Sequence, residues 1–229
     1  MDEYDMKNFV CVCWGDKYPF EYVQKLYNMV QRNTTVEHKF IVFTDNVSMH
    51  GKLSPEIEIR KFFHHDYEGW WNKLQLFSPE ADLVGENLYM DLDVVILENI
   101  DDFFNHGEED TFSIINNFNL TTKIFNSSIF KFNNKTATDL IWRPWLADRG
   151  NLKRNQGDQD VISILASKSQ KFRVFPDEWS FSYKWNNRVN PRYSKQDWTF
   201  ERGVGKVAVF HGAPNPHESD QEYIKNAWK

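Results

Sequence analysis

Asn87-Leu88-Tyr89-Met90-Asp91-Leu92-Asp93-Val94-Val95-Ile96-Leu97 is the strongest strand signal in the chain, an acidic pair set between apolar, β-forming residues. Two positions apart on a strand, Asp91 and Asp93 present their carboxylates on one face, while Leu92 points the other way, into the core. Neighbouring carboxylates repel and hold protons more tightly unless a cation lies between them. A hard divalent ion with oxygen ligands, Mg²⁺ or Mn²⁺, relieves that repulsion and normally binds substrate phosphates as well. The apolar setting separates this pair from Asp158-Gln159-Asp160, the same spacing in a polar context, because unpaired charge among apolar residues is costly. The structural alternative is a buried Lys or Arg paired with the carboxylates.

Outward from that strand, the chain reads as alternating elements. Residues 8–14 form a buried strand ending at Trp14-Gly15-Asp16, and 21–32 place Val23, Leu26, Tyr27 and Val30 on one helical face. Residues 39–44 form a second strand ending at Thr44-Asp45, and 56–60 a third. This βαβ opening predicts a parallel sheet. Residues 69–78 read as a short helix stopped by Pro79. In the second half, 111–116 and 127–132 are candidate strands, 135–147 and 158–167 helices, and 172–175 and 206–211 late strands. Residues 177–205 are aromatic and polar with little periodicity. The fold class is α/β: a mixed, mostly parallel central sheet flanked by helices. Ligands of such sheets bind beyond the carboxyl ends of the strands. Here those ends carry Trp14-Gly15-Asp16, Thr44-Asp45, Asp91-Leu92-Asp93 and His211. As a third ligand, His211 would favour Mn²⁺.

The 229 residues fit one domain with 41% hydrophobic residues and a net charge of −6, which argues against a general nucleic-acid binder. Cys11 and Cys13 are too few for a disulfide framework and read as small buried residues. Met1–Asp5 is acidic and lacks a signal-peptide core, and no apolar stretch approaches the ~18 residues of a membrane span. The expectation is a cytoplasmic protein without a transmembrane anchor, in a bacterial cell or an infected host cell. Aromatic residues reach 16%, and sugar faces stack on aromatic rings. Trp179-Ser180-Phe181-Ser182-Tyr183-Lys184-Trp185 is the densest aromatic segment.

Together these segments resemble glycosyltransferases of the GT-A fold, most closely the compact bacterial and phage members. Cys13-Trp14-Gly15-Asp16-Lys17-Tyr18 resembles the family's first nucleotide-binding loop, and Phe43-Thr44-Asp45 its second strand end. Gly69-Trp70-Trp71-Asn72-Lys73-Leu74 resembles the helix before the metal strand, and Asp91-Leu92-Asp93 the D-x-D metal motif. Phe125-Asn126-Ser127-Ser128-Ile129, Asp158-Gln159-Asp160 and His211-Gly212-Ala213-Pro214-Asn215-Pro216 match later motifs in order. The resemblance implies a Rossmann-like nucleotide-binding fold and a single catalytic domain over 1–229. Residues 1–97 would bind nucleotide and metal. Residues 98–229 would bind the acceptor and carry a C-terminal metal-binding loop. Cys13, Trp14, Gly15, Tyr18, Thr44, Asp45, Trp71, Asp91, Leu92, Gly212 and Asn215 would contact the nucleotide sugar, UDP-glucose or UDP-galactose. Asp91, Asp93 and His211 would hold Mn²⁺ or Mg²⁺, the catalytic Lys73 would face the diphosphate or donor sugar, and the catalytic Asp158, Gln159 and Asp160 would approach the transferred hexose or its acceptor, a carbohydrate or glycoconjugate. The family usually has Lys where Asn215 stands, so either Lys73, Lys184 or Arg188 replaces it or the donor is held more weakly. The competing readings are a phosphatase of the haloacid-dehalogenase type and a non-enzymatic carbohydrate-binding module.

Overall fold

The computed structural model describes residues 6–186 and 195–229. Arg188, one candidate replacement for the absent Lys, and the acidic Met1–Asp5 lie outside them.

Among the described residues ten strands form two sheets: β1 Lys7–Cys13, β2 Lys39–Thr44, β3 Ile57–Lys61, β4 Glu86–Met90, β5 Val94–Ile96, β6 Phe112–Ile115, β7 Asn126–Asn133, β8 Phe172–Val174, β9 Ser180–Ser182 and β10 Val207–Val209. The larger sheet runs β3-β2-β1-β4-β7-β6-β8. Its β1–β4 half is parallel, β7 is antiparallel to both β4 and β6, and β8 is parallel to β6. The smaller sheet runs β5-β10-β9. The described helices are α1 Phe20–Asn33, α2 Asp102–Asn105, α3 Asn134–Ala137, α4 Arg143–Ala147, α5 Arg149–Leu152, α6 Asp158–Ala166 and α7 Glu222–Ala227.

Strand alternation supplies two cores, one on each face of the larger sheet. Phe9, Cys11 and Cys13 of β1 join Val23, Leu26, Met29 and Val30 of α1 and the smaller sheet on one side. Val10, Ile41, Phe43 and Tyr89 join Leu74, Phe77, Trp145 and Val161 on the other. Both thiols are free and buried. Among the described residues no helix is long and apolar enough to cross a membrane.

Four departures from the sequence reading have physical causes. The run 87–97 is two strands rather than one. β4 pairs with β1 and β7, then the chain crosses into the smaller sheet, where β5 pairs with β10. An apolar strand reads the same whichever sheet it enters. Residues 69–78 form a 3-10 helix, Gly69–Phe77, with Asn72–Phe77 buried. Gln75 fixes it by exchanging hydrogen bonds with both backbone groups of His64. The helix of 135–147 carries a π turn at Thr138–Trp142, where the Arg143 N–H reaches back to the Thr138 carbonyl. Pro144, lacking an N–H, cannot continue the regular pattern there. Within 177–205 lies β9, three residues long and too short for periodicity to register.

Asp101 ties the end of α1 to the chain leaving the smaller sheet. It accepts hydrogen bonds from the Thr34 and Thr35 hydroxyls at 2.5 and 2.6 Å, from the Thr35 N–H and from the Asn99 amide. Burial raises its proton affinity, but those donors outweigh it and hold the carboxyl at about 2. A depressed carboxyl stabilises the fold above its unfolded value of ~3.9, and that contribution is lost as pH falls through about 2. Asp101→Asn is therefore expected to melt lower than wild type at pH 7, the gap closing between about pH 4 and pH 2. A gap independent of pH would refute this.

Candidate active site

The carboxyl ends of β1 and β4 open on a cavity of about 560 Å³. Asp91, Leu92 and Asp93 lie on its wall, in the crossover between the two sheets. The expectation that they share a strand face is therefore corrected, although both carboxylates do reach the cavity. The Asp91 N–H extends the β4–β7 pairing to the Ser128 carbonyl at 2.9 Å, and the Tyr89 hydroxyl donates to Asp91 Oδ1 at 2.7 Å. Asp93 is buried. It accepts from the Tyr18 hydroxyl at 3.1 Å and the Gly212 N–H at 3.4 Å. Burial, then the charge of Asp91, raises its proton affinity.

Lys73 is the buried cation of the site. Its Nζ lies 2.8 Å from Asp91 Oδ1 and 3.4 Å from Asp158 Oδ2. Burial favours the neutral amine, but Asp158 and Asp91 reverse that and keep it an ammonium. The structural alternative, a carboxylate paired with a buried Lys, is thus realised at Asp91. Asp158 opens α6 behind the extended Gly157 and accepts from Ser127 Oγ at 2.8 Å, while Gln159 Oε1 accepts from the Ser127 N–H. Lys73 and Ser127 both meet Oδ2 of Asp158, which helps fix the ammonium. Asp160 accepts from the Gln156 N–H and lines the cavity.

Of the expected nucleotide-sugar contacts, Trp14, Tyr18, Asp91, Leu92 and Gly212 line this cavity. The rest do not. Cys13 is buried in the core with its Sγ directed to the Tyr18 carbonyl, and Thr44 is fully buried. Asp45 and Gly15 sit beside the rim, joined by the Gly15 N–H. Gly15 needs its positive φ of 63° there. Trp71 stacks on Trp145 and faces another pocket, and the Asn215 N–H is turned onto Glu218. Trp70 takes the place expected of Trp71. It is 57% exposed, and a Cβ on Gly157 would come within 2.9 Å of its Nε1. Among the described residues, Trp14 and Trp70 have no aromatic ring packed on theirs, whereas every other tryptophan has one. Sequence reasoning also missed Tyr89 and Lys17. Tyr89 was detectable, being two residues before Asp91 on the same strand.

His211 departs most from expectation. It lines the cavity, but its Nε2 lies 2.8 Å from Ser182 Oγ, and its ring is flanked by Phe118 and Trp185. Burial and the charge of Lys184 hold it neutral, with a pKa near 3. Among the described residues no three of His, Cys, Asp and Glu gather closely enough to hold a metal ion, and the three expected ligands Asp91, Asp93 and His211 do not converge as they stand. The cause is local: Lys73 occupies Asp91, and the left-handed turn at His211 and Gly212 (φ 38° and 94°) directs the imidazole to Ser182. Two carboxylates still suit a divalent ion. The wall carries Asp91, Asp93, Asp158 and Asp160 against Lys17 and Lys73, an excess of negative charge. An ion held by one or two carboxylates takes its remaining ligands from phosphate and water.

The sequence matches no protein-family model and none of the curated proteins. Solved structures do match. The galactosyltransferase LgtC, in complex with donor and acceptor sugar analogs, aligns over 96% of this chain and 91% of its own at 13% identity and a TM-score of 0.64. An active-site mutant of LgtC gives 14% identity and 0.70, over 96% and 93%. The fold is that of the GT-A glycosyltransferases. The glycosyltransferase GlyE of Streptococcus pneumoniae TIGR4 aligns over 98% of this chain at 13% identity and 0.68, but over 59% of its own length. In this fold the crossover carrying Asp91 and Asp93 sits at the carboxyl end of the central parallel strands, where an α/β sheet binds its ligand.

Proposed function

We propose that the protein is a glycosyltransferase that moves a hexose from a nucleotide-diphosphate sugar, UDP-glucose or UDP-galactose, to a carbohydrate or glycoconjugate acceptor. The observation that carries this is Asp91, Asp93 and a fixed Lys73 ammonium on one cavity wall, in a chain with a glycosyltransferase fold. Residues 1–97 supply the nucleotide end of the cavity, and 98–229 the acceptor end with the loop at His211.

Asp91 and Asp93 would hold a divalent ion. When bound, it supplies Lewis-acid stabilisation of the leaving diphosphate. With His211 turned away, the remaining protein ligands are oxygens, and the reason to prefer Mn²⁺ over Mg²⁺ lapses. Lys73, held by Asp91 and Asp158, contributes a preorganised positive potential. Asp160 has an oxygen not engaged by the Gln156 N–H and takes the part of acceptor base or oxocarbenium stabiliser. Trp14 faces the nucleoside and Trp70 the acceptor sugar, each offering an unpaired ring face. No observation favours the phosphatase reading.

The test is a screen of nucleotide sugars for metal-dependent donor hydrolysis, which names base and sugar without the acceptor. Hydrolysis of none would overturn the reading. With an acceptor in hand, Trp70→Ala is expected to raise its KM about tenfold and leave donor hydrolysis within about twofold. Equal loss of both would remove Trp70 from the acceptor side.

A further inference from the structure

A second depression, of about 220 Å³, lies beside the cavity. The two are built from the same two stretches of chain. Glu68 and Trp71 line the second depression, while Gly69 and Trp70, between them in sequence, line the cavity. Gly69, at a φ of 55°, turns the chain so that neighbouring side chains reach opposite sides. On the facing stretch Lys153 lines the second depression and Gln156 the cavity, at most ~10 Å apart along the chain. Trp70 closes the gap between the two stretches, packed so tightly that a Cβ on Gly157 would come within 2.9 Å of its Nε1.

The second depression combines an aromatic lining with a few convergent polar groups, as small-ligand sites do. Trp71 stacks on Trp145 with ring centres 5.5 Å apart, and the Arg149 guanidinium lies 4.5 Å from the centre of the Tyr67 ring. Arg149 is also held by Asp66, whose Oδ2 accepts from it at 2.6 Å. Both side chains stay open to solvent, 32% and 59% exposed. A carboxylate and a guanidinium fixed side by side offer an acceptor and several donors at once. That matches neighbouring sugar hydroxyls, each able to donate and to accept. Lys153 and Glu68 are exposed and complete the rim. Arg149 and Lys153 balance Asp66 and Glu68, so the wall carries no net charge and suits a neutral polyhydroxyl ligand better than a phosphate or an acidic group. Core packing accounts for the paired indoles but not for the charged side chains around them, and an exposed ion pair such as Asp66 with Arg149 adds little to stability.

We propose that this depression binds a second saccharide unit of the acceptor, next to the unit that receives the hexose, so that the protein extends an oligosaccharide rather than a single sugar. This rests on the reading of the cavity as a sugar-transfer site with Trp70 on its acceptor side. The receiving unit sits against Trp70, and the following unit of the same glycan crosses it to reach Trp71, Asp66 and Arg149. Contacts so far from the reacting carbon are made equally in the bound and the transition state. They lower the acceptor KM and leave kcat alone.

The test takes the donor that hydrolysis identifies and a panel of neutral acceptors built from glucose, galactose and N-acetylglucosamine, each as monosaccharide, disaccharide and trisaccharide. At least one longer acceptor is expected to show a KM about tenfold or more below that of its terminal monosaccharide, at a kcat within about threefold. Arg149→Gln is expected to raise the KM for that longer acceptor about tenfold and to leave the monosaccharide KM within about twofold. Asp66→Asn, an isosteric change at an exposed position, shows the same pattern and serves if Arg149→Gln does not fold. Longer acceptors no better than their monosaccharides, use of no acceptor in the panel, or equal losses with both lengths in the variants would overturn the proposal. Donor hydrolysis alongside any of these results leaves the transferase reading standing, whereas hydrolysis of no nucleotide sugar overturns that reading and this proposal together.

Discussion

Asp93→Asn is expected to lower sugar transfer at least a hundredfold while the protein melts no lower than wild type. The two halves of that result have one cause. Asp93 is buried, and both burial and the neighbouring charge of Asp91 oppose its ionisation, while Lys17, the Tyr18 hydroxyl and the Gly212 N–H compensate only in part. The isosteric amide keeps the side-chain volume and removes the charge. It therefore relieves repulsion in the folded state, as replacement of function-bearing strained residues commonly does. Transfer suffers because the carboxylate pair is the ground for placing a divalent ion beside the diphosphate. Losing one preorganised electrostatic partner of a transition state costs about 10²–10³ in rate. Thermal melting and donor hydrolysis on the same preparation check both halves. A variant that melts several degrees lower would mean that the Asp93 charge is compensated in the fold, against the geometry described.

Lys73→Met is expected to be the most destabilising single change at the site, about 3–5 kcal/mol. The side chain is 9% exposed, and its partners Asp91 and Asp158 are 21% and 6% exposed. Removing the ammonium leaves two carboxylates facing each other with little water between them, and unpaired buried charge is among the few causes of losses this large. Lys73→Met combined with Asp158→Asn is expected to recover part of the stability, because one of the two stranded charges goes with it. A double-mutant cycle by urea denaturation measures this coupling. Additive losses would show that Lys73 and Asp158 do not act on one another.

The contrast between these two residues shows what the sequence carried. The spacing of Asp91 and Asp93 in an apolar run was enough to mark the pair, and Lys73 and Asp158 stood in motifs that the resemblance to the GT-A family picked out. Strands such as Lys39–Thr44 were legible because burial on both faces leaves an apolar run. What sequence did not carry was partnership. The run from Asn87 to Leu97 reads as one strand because both halves are apolar, but only the fold decides that Val94–Ile96 pairs with Val207–Val209. That crossover moves Asp91 and Asp93 out of a strand and into a turn. Likewise, His211 was correctly placed at the end of the last strand, yet its direction depends on two left-handed residues and on Ser182, which lies on a strand too short to read. Trp70 and Trp71 are adjacent and chemically identical, and only packing sends one to the cavity and the other against Trp145.

The most direct measurement is calorimetric titration of UDP into wild type and Asp93→Asn, each with and without Mg²⁺ or Mn²⁺. The proposed function predicts that wild type binds UDP in a manner requiring the divalent ion, and that Asp93→Asn loses the ion's contribution. UDP binding that is independent of metal and unchanged by Asp93→Asn would contradict the assignment of this cavity to a metal-assisted nucleotide-sugar transferase.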